Sequence, residues 1–211
     1  MNPPVAADRS IDPSAISARN RYELMTSLVV PRPIGWISSR GADGVPNLAP
    51  FSYFGALSVS PMLVGVSIGN RGNGLKDTLV NLRGRGSFCV NVVTESLLVP
   101  MNESSASVPP EIDEFDVAGL TLAESDRVDA PFVAECPAIF ECVVRQEVDL
   151  GGAPNTLVIA EVVGVRLSTE LPFEGETMMV LPEALRPVGR LGGASYSVTH
   201  QVRRIRRPDR R

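Results

Sequence analysis

The stretch PRPIGWISSRGADGVPNLAPFSYF, Pro31 to Phe54, decides the fold. Ile34, Trp36 and Ile37 with Ser38 and Ser39 form a β-rich run, and Gly41-Ala42-Asp43-Gly44 supplies residues that tolerate positive φ in a tight turn. After the turn, Asn47-Leu48-Ala49-Pro50 and Phe51-Ser52-Tyr53-Phe54 mix small, polar and aromatic residues. Pro50 has no N–H to give a β-ladder, so the chain here lies at a sheet edge or finds other partners. Two readings stay open on these residues alone. One is a hairpin with an edge proline; the other is a run of small residues whose backbone amides receive a flat polar ligand.

Outward from this stretch the punctuation is dense, with 18 glycines and 18 prolines marking short elements and many turns. Asp12, Ser14 and Ser17 are helix-start residues, Tyr22, Leu24, Met25, Leu28 and Val29 come next at helical spacing, and Pro31 stops the helix. Strands are expected at 33–40, 45–54 and 62–69, then a loop at Gly72-Asn73-Gly74, a short helix over 75–82 and a strand over 88–93. Residues 94–135, with Pro109-Pro110 and an acidic cluster at 111–116, read as a loop with one or two short helices, a lid or an arm. Long strands return at 138–149 and 156–168, and the last ordered piece runs from Leu181 to Tyr196. Six or seven strands with few helices predict a mainly β chain closed into a small barrel, which removes exposed edges.

At 211 residues, 44% hydrophobic and 21% charged, the chain has the size and balance of one soluble domain or two small ones. The opening MNPPVAADRSIDPS has no basic region leading into an apolar run, so no secretory leader is expected, and a cytoplasmic setting is the default. Cys89, Cys136 and Cys142 are three thiols without a CxxC pair, expected to stay reduced, with Cys89 an inert core residue. Nineteen of the twenty basic residues are arginine. Six of them lie in residues 203–211 (RRIRRPDRR), a run expected to be solvated and, without interleaved aromatics, not to bind nucleic acid.

His200 is the single histidine, which argues against a histidine metal site or a Ser-His-Asp triad. Neither the phosphate-loop signature nor a dinucleotide glycine fingerprint occurs. Gly74-Leu75-Lys76-Asp77-Thr78 puts the only lysine, a hydroxyl and free N–H groups at a helix start, which suits a phosphate; taken in isolation, an ordinary helix start with a solvated lysine is the better reading. Trp36 is read as core rather than as a stacking platform. A chain so poor in histidine either binds a cofactor that carries the chemistry or is no enzyme.

Five blocks in order, PRPIGWISS, NLAPFSYF, SPMLVGVSI, GLKDT and GSFCVNVVTE, resemble the flavin reductase-like family of FMN-binding split β-barrels. Met101-Asn102, Asp113-Glu114-Phe115 with Ala118-Gly119-Leu120, and Arg190-Leu191-Gly192-Gly193 with Tyr196 extend the likeness to roughly residues 20 to 197. The resemblance implies a mainly β, Greek-key split barrel with a few peripheral helices over 17–200. An N-terminal extension (1–16) and an Arg-rich disordered tail (201–211) flank it. It implies that the flavin ring lies against Asn47, Leu48, Ala49 and Pro50 with Ser52 nearby. Ser38 and Ser39 would meet the ribityl chain or phosphate, and Ser67, Lys76, Asp77 and Thr78 the phosphate end. Arg32, Arg190 and Tyr196 would face the substrate. Backbone N–H groups around Ala49 and Phe51 would serve flavin N1 and O2.

In activity, the resemblance implies an FMN-dependent NAD(P)H:flavin reductase. NADH or NADPH would give hydride to flavin N5, and electrons would pass to free flavin, a partner monooxygenase or another acceptor. The resemblance also implies a homodimer with flavin near the subunit interface. Two rivals are an FMN-holding electron carrier or sensor, and a flavin-free interaction protein.

Overall fold

β-branched and aromatic runs between glycine and proline turns give this chain its strands. The computed structural model describes residues 9–70, 72, 74–152, 154–206 and 208. Helix α1 (Ala18–Leu28) opens on Ser17, whose Oγ accepts from the Asn20 N–H at 3.1 Å, and stops ahead of Pro31. Strands β1 (Arg32–Pro33), β2 (Gly35–Arg40), β3 (Pro46–Phe51), β4 (Phe54–Val59) and β5 (Met62–Gly69) come next. Helix α2 (Asp77–Arg85) ends at Gly86, whose φ of 68° is the left-handed conformation that favours glycine, and leads into β6 (Ser87–Val92). The chain continues through α3 (Leu98–Glu103), α4 (Glu114–Ala118), β7 (Leu122–Glu124) and β8 (Pro131–Val133). The long pair β9 (Ala138–Asp149) and β10 (Asn155–Leu167) precedes α5 (Pro182–Leu185), β11 (Val188–Arg190) and β12 (Tyr196–Val198).

Seven strands form one antiparallel sheet in the order β3-β2-β6-β9-β10-β5-β4. Its two edges, β3 and β4, are consecutive in the chain and joined only by Ser52 and Tyr53, so the backbone itself crosses from one edge to the other. The Ser67 N–H donates to the Tyr53 carbonyl at 2.8 Å and ties that crossing to β5. Gly35 of β2 makes room for the closure: a Cβ there would lie 2.6 Å from Phe54 Cδ2 on β4. The fold is the expected mainly β split barrel with peripheral helices. A second sheet has the order β1-β11-β12, and Arg32 of β1 reaches Ser52 of the crossing at 3.4 Å.

Both faces of β2 are buried, which explains why its sequence does not alternate. Ile37 points into the barrel with Phe51, Val66, Phe88 and Val158, and α2 adds Leu79 and Leu82 to that core. Trp36 points outward into a second core with Met101, Phe115, Phe132 and Val133. Residues 94–135 are therefore not a lid or an arm. They cover the outer face of β2 and β6, with Trp36 Nε1 donating to Ser104 Oγ at 2.9 Å and the Val133 N–H to Asn91 Oδ1 at 2.8 Å.

Three other expectations change. The run 45–54 is broken at Ser52-Tyr53, and its end begins a strand on the opposite edge, which the mixed sequence FGALSV hid. Helix α2 starts at Asp77, leaving Leu75 exposed outside it. Helix α1 forms, yet Tyr22, Met25, Leu28 and Val29 remain exposed. Cys89, Cys136 and Cys142 are free and buried; burial pushes the Cys89 thiol up to about 12 and raises the other two. Arg204 reaches Glu183 at 3.1 Å and Glu174 at 3.8 Å, so the basic tail is tethered at that point. Arg207, Arg210 and Arg211 of the tail, residues 1–8 of the N-terminal extension, and Asn73 of the Gly72–Gly74 loop lie outside the described residues. Among the described residues no helix is long and apolar enough to cross a membrane.

Candidate functional site

The outer edge of β3 is built so that it cannot recruit another strand. β2 and β3 pair in the register Gly35↔Phe51, Ile37↔Ala49 and Ser39↔Asn47. The Leu48 N–H points away from β2 and donates to Glu114 Oε2 at 3.0 Å. Pro46 and Pro50 occupy the two flanking positions of the same parity and have no N–H to offer. The outward donors of this edge are thus either absent or satisfied. The same parity corrects one expectation: the N–H groups of Ala49 and Phe51 face β2 rather than an open slot.

Behind the edge lies a buried polar chain. Asn47 Nδ2 donates to both Glu114 oxygens at 3.0 and 3.1 Å, and Asn47 Oδ1 accepts from Thr78 Oγ1 at 2.9 Å and Ser39 Oγ at 3.3 Å. Asn81 Nδ2 adds a bond to Ser39 Oγ at 3.2 Å. One carboxylate on α4 thereby holds β3 and, through Asn47, the first turn of α2. Burial raises the Glu114 pKa, opposed by the hydrogen bonds from Leu48 and Asn47; burial likewise raises that of Asp113, whose Oδ1 caps the Phe115 N–H at 2.8 Å.

In front of the edge a cleft of about 320 Å³ opens between the crossing at Pro50–Tyr53, the small sheet and α3. Among the described residues four aromatic rings line it, those of Tyr22, Phe51, Tyr53 and Tyr196. Its cations among the described residues are Lys76, whose Nζ lies 5.0 Å from the centroid of the Phe51 ring, and Arg190; no described Asp or Glu lines it. Ser67 and Asn155, joined by an Nδ2–Oγ bond at 3.1 Å, form the β5–β10 wall. A smaller hollow of about 170 Å³ shares Pro50, Lys76 and Ser105 with it and runs on past Asp77 and Thr78.

The structure sorts the residues expected at the site into three groups. Pro50, Ser52, Ser67, Lys76, Arg190 and Tyr196 line the main cleft, and Asn47, Ala49, Asp77 and Thr78 the hollow beside it. Asn47, Leu48, Ser39 and the Thr78 hydroxyl are buried in the polar chain and its surroundings, where they shape the wall. Ser38 and Arg32 point elsewhere. Ser38 Oγ donates to the Pro131 carbonyl at 2.6 Å and accepts from Asn91 Nδ2 at 2.9 Å in the outer core. Arg32 is 5% exposed and donates to the carbonyls of Thr26, Val29 and Leu191 at 2.6, 2.9 and 3.0 Å and, more loosely, to Ser52 Oγ at 3.4 Å. It staples α1 and the β11–β12 loop to β1.

Sequence reading alone gave no part to Tyr22, Asn102, Ser105 or Asn155, which complete the cleft, nor to Glu114 as the anchor of β3. The acidic cluster at 111–116 was a signal for Glu114, but nothing local tied it to Leu48.

The model of the flavin reductase like domain matches residues 25–187. Among solved structures, the nitrilotriacetate monooxygenase component B of Bacillus cereus is 32% identical with a TM-score of 0.90, over 95% of this chain and 100% of that one. The 2-nitrobenzoate 2-nitroreductase of Pseudomonas fluorescens is 30% identical with a TM-score of 0.86, over 95% and 96% of the two chains. A split barrel domain protein of Shewanella frigidimarina shares the fold at 23% identity and a TM-score of 0.81, over 92% and 96%.

Proposed function

The chain belongs to the flavin reductase like family, and on that premise we propose that it is an FMN-dependent oxidoreductase of the NAD(P)H:flavin reductase type. The observation that carries this reading is the cleft itself: among the described residues it has aromatic walls, Lys76 at its junction with the hollow and no carboxylate, which suits a flat, anionic ligand. The cleft and the hollow beside it are continuous through Pro50, Lys76 and Ser105, so a ring in one and a phosphate tail in the other share Lys76 between them.

In this reading Pro50 to Tyr53 back the ring, Lys76 meets the phosphate, and Ser67 with Asn155 supplies polar contacts on the facing wall. Glu114 acts at one remove by capping the outer edge of β3. A bound flavin supplies acceptance of hydride at N5 from NADH or NADPH and its release to free flavin, a partner monooxygenase or another acceptor. No histidine is needed for that exchange. A partner oxygenase is suggested by the component B neighbour, and a small organic acceptor by the nitroreductase neighbour.

The exposed apolar face of α1, Tyr22, Met25, Leu28 and Val29, borders this cleft through Tyr22 and supports a homodimer in which the second copy covers it. Three buried free thiols support a reducing, cytoplasmic setting. The test is the visible spectrum of the purified protein before and after anaerobic NADH or NADPH. A flavin band that bleaches is expected; one that persists with both donors favours an electron carrier. A colourless protein that takes up no added FMN overturns the proposal.

A further inference from the structure

Most guanidinium groups of the folded body have their own acceptors. Arg40 meets Glu124 at 2.6 Å, Arg83 meets Glu147 at 2.8 Å, Arg85 meets Asp129 at 2.6 Å and Arg166 meets Asp126 at 2.9 Å. Arg32 is spent on backbone carbonyls. Arg190 differs. It lines the cleft, its Cζ lies 4.4 Å from the centroid of the Tyr196 ring, and its Nη2 donates to the Gly193 carbonyl at 2.6 Å. Among the described residues no carboxylate pairs with it, and no Asp or Glu lines the cleft around it.

Stacking sets the plane of this guanidinium and the Gly193 carbonyl sets its rotation, which leaves most of its five N–H donors without a protein acceptor. Tyr196 is held in turn: its hydroxyl donates to Asn102 Oδ1 at 3.1 Å, so the Asn102 amide N–H₂ adds a second donor to the same wall. A pre-oriented fork of this kind, half-buried and without a carboxylate of its own, matches the geometry of an oxyanion.

We propose that Arg190, held flat on Tyr196, binds a carboxylate or phosphate of the molecule that enters this cleft, so that the reaction partner is an aromatic anion rather than a neutral aromatic. The role in electron exchange rests on the flavin reading; the anion site does not. Its test is calorimetric titration of the full chain, saturated with FMN, with benzoate, with neutral benzamide and with inorganic pyrophosphate. At least one anion is expected to bind ten or more times more tightly than benzamide. Benzoate preference assigns the site to a carboxylate, pyrophosphate preference to a nucleotide phosphate.

Arg190→Gln is expected to erase the preference, and Arg190→Lys, which keeps charge without the fork, to retain part of it, with FMN affinity unchanged in both. Benzamide binding as well as the anions, neither anion binding measurably, or Arg190→Gln losing nothing would overturn the proposal. So would an equal loss of FMN affinity, which would hand Arg190 to the flavin's own phosphate. A wild-type chain that takes up no FMN sinks the flavin reading alone, because the same titrations on the flavin-free chain still decide for Arg190.

Discussion

The Glu114 carboxylate caps the outward N–H of Leu48 at 3.0 Å, and this single bond replaces the strand that the edge of the barrel would otherwise seek. Because the same carboxylate also holds Asn47 Nδ2, removing it strands two buried donors. Glu114→Ala is expected to cost about 2–6 kcal/mol, the sum for two unsatisfied buried groups. Urea unfolding monitored by Trp36 fluorescence measures it. A loss below about 1 kcal/mol would mean that water replaces the carboxylate.

Glu114 also has a pH signature. Its folded-state pKa is raised, chiefly by burial, so between the unfolded value of about 4.3 and the raised one the folded chain binds the extra proton. That contribution to stability is full below the unfolded value and is lost as pH rises through the folded one. The stability difference between wild type and the non-titrating Glu114→Gln should therefore move in favour of wild type as pH falls from neutrality toward that range. A difference independent of pH would show that the hydrogen bonds from Leu48 and Asn47 cancel the burial effect.

Lys76 sits at the junction of the two hollows, with its ammonium over Phe51. Lys76→Ala should weaken FMN binding roughly ten- to hundredfold, the worth of one charge-assisted hydrogen bond, while the unfolding midpoint barely moves. Fluorescence quenching of FMN on titration gives the affinity. Equal affinities would remove Lys76 from the phosphate end.

Local signals carried the elements whose neighbours in space are neighbours in sequence. The hairpin of β2 and β3 was legible from its glycine turn and β9 and β10 from their β-branched runs, whereas Pro50 and Ser52 of the cleft wall were placed only by the family resemblance. What the sequence could not display were partnerships at long range. Glu114 reaches Leu48 across 66 residues, and Trp36 finds Ser104 across 68. The resemblance put Ser38 at the ligand, and a strand buried on both faces hides which way each serine points. The resemblance put Arg32 on the substrate side, and arginine next to proline gives no hint that three carbonyls will surround it.

Those three carbonyls make Arg32 a structural staple, and that role can be separated from one in catalysis. A lysine ammonium cannot span the carbonyls of Thr26, Val29 and Leu191 as the planar fork does, so Arg32→Lys should cost about 2–3 kcal/mol of stability. Per folded molecule, KM for the nicotinamide donor should stay within about twofold of wild type, because no uniform binding contact is removed. Denaturant melts paired with initial rates at a temperature well below the transition separate the two effects. A large rise in KM with unchanged stability would return Arg32 to the substrate side.

Closure of the barrel depends on a missing side chain. Gly35 lies under the Phe54 ring, and a methyl group placed there would come within 2.6 Å of Cδ2 and 2.7 Å of Cγ, both on a ring held between β4 and the core. Gly35→Ala must push β4 away from β2 and open the crossing at Ser52-Tyr53 that forms the cleft floor. An overpacking cost of about 1–3 kcal/mol is expected, together with weaker FMN binding, since floor and closure move as one. Phe54→Leu in the Gly35→Ala background should restore part of both, because a smaller, more flexible side chain yields to the methyl. Loss of stability without loss of FMN affinity would separate the barrel's closure from its site.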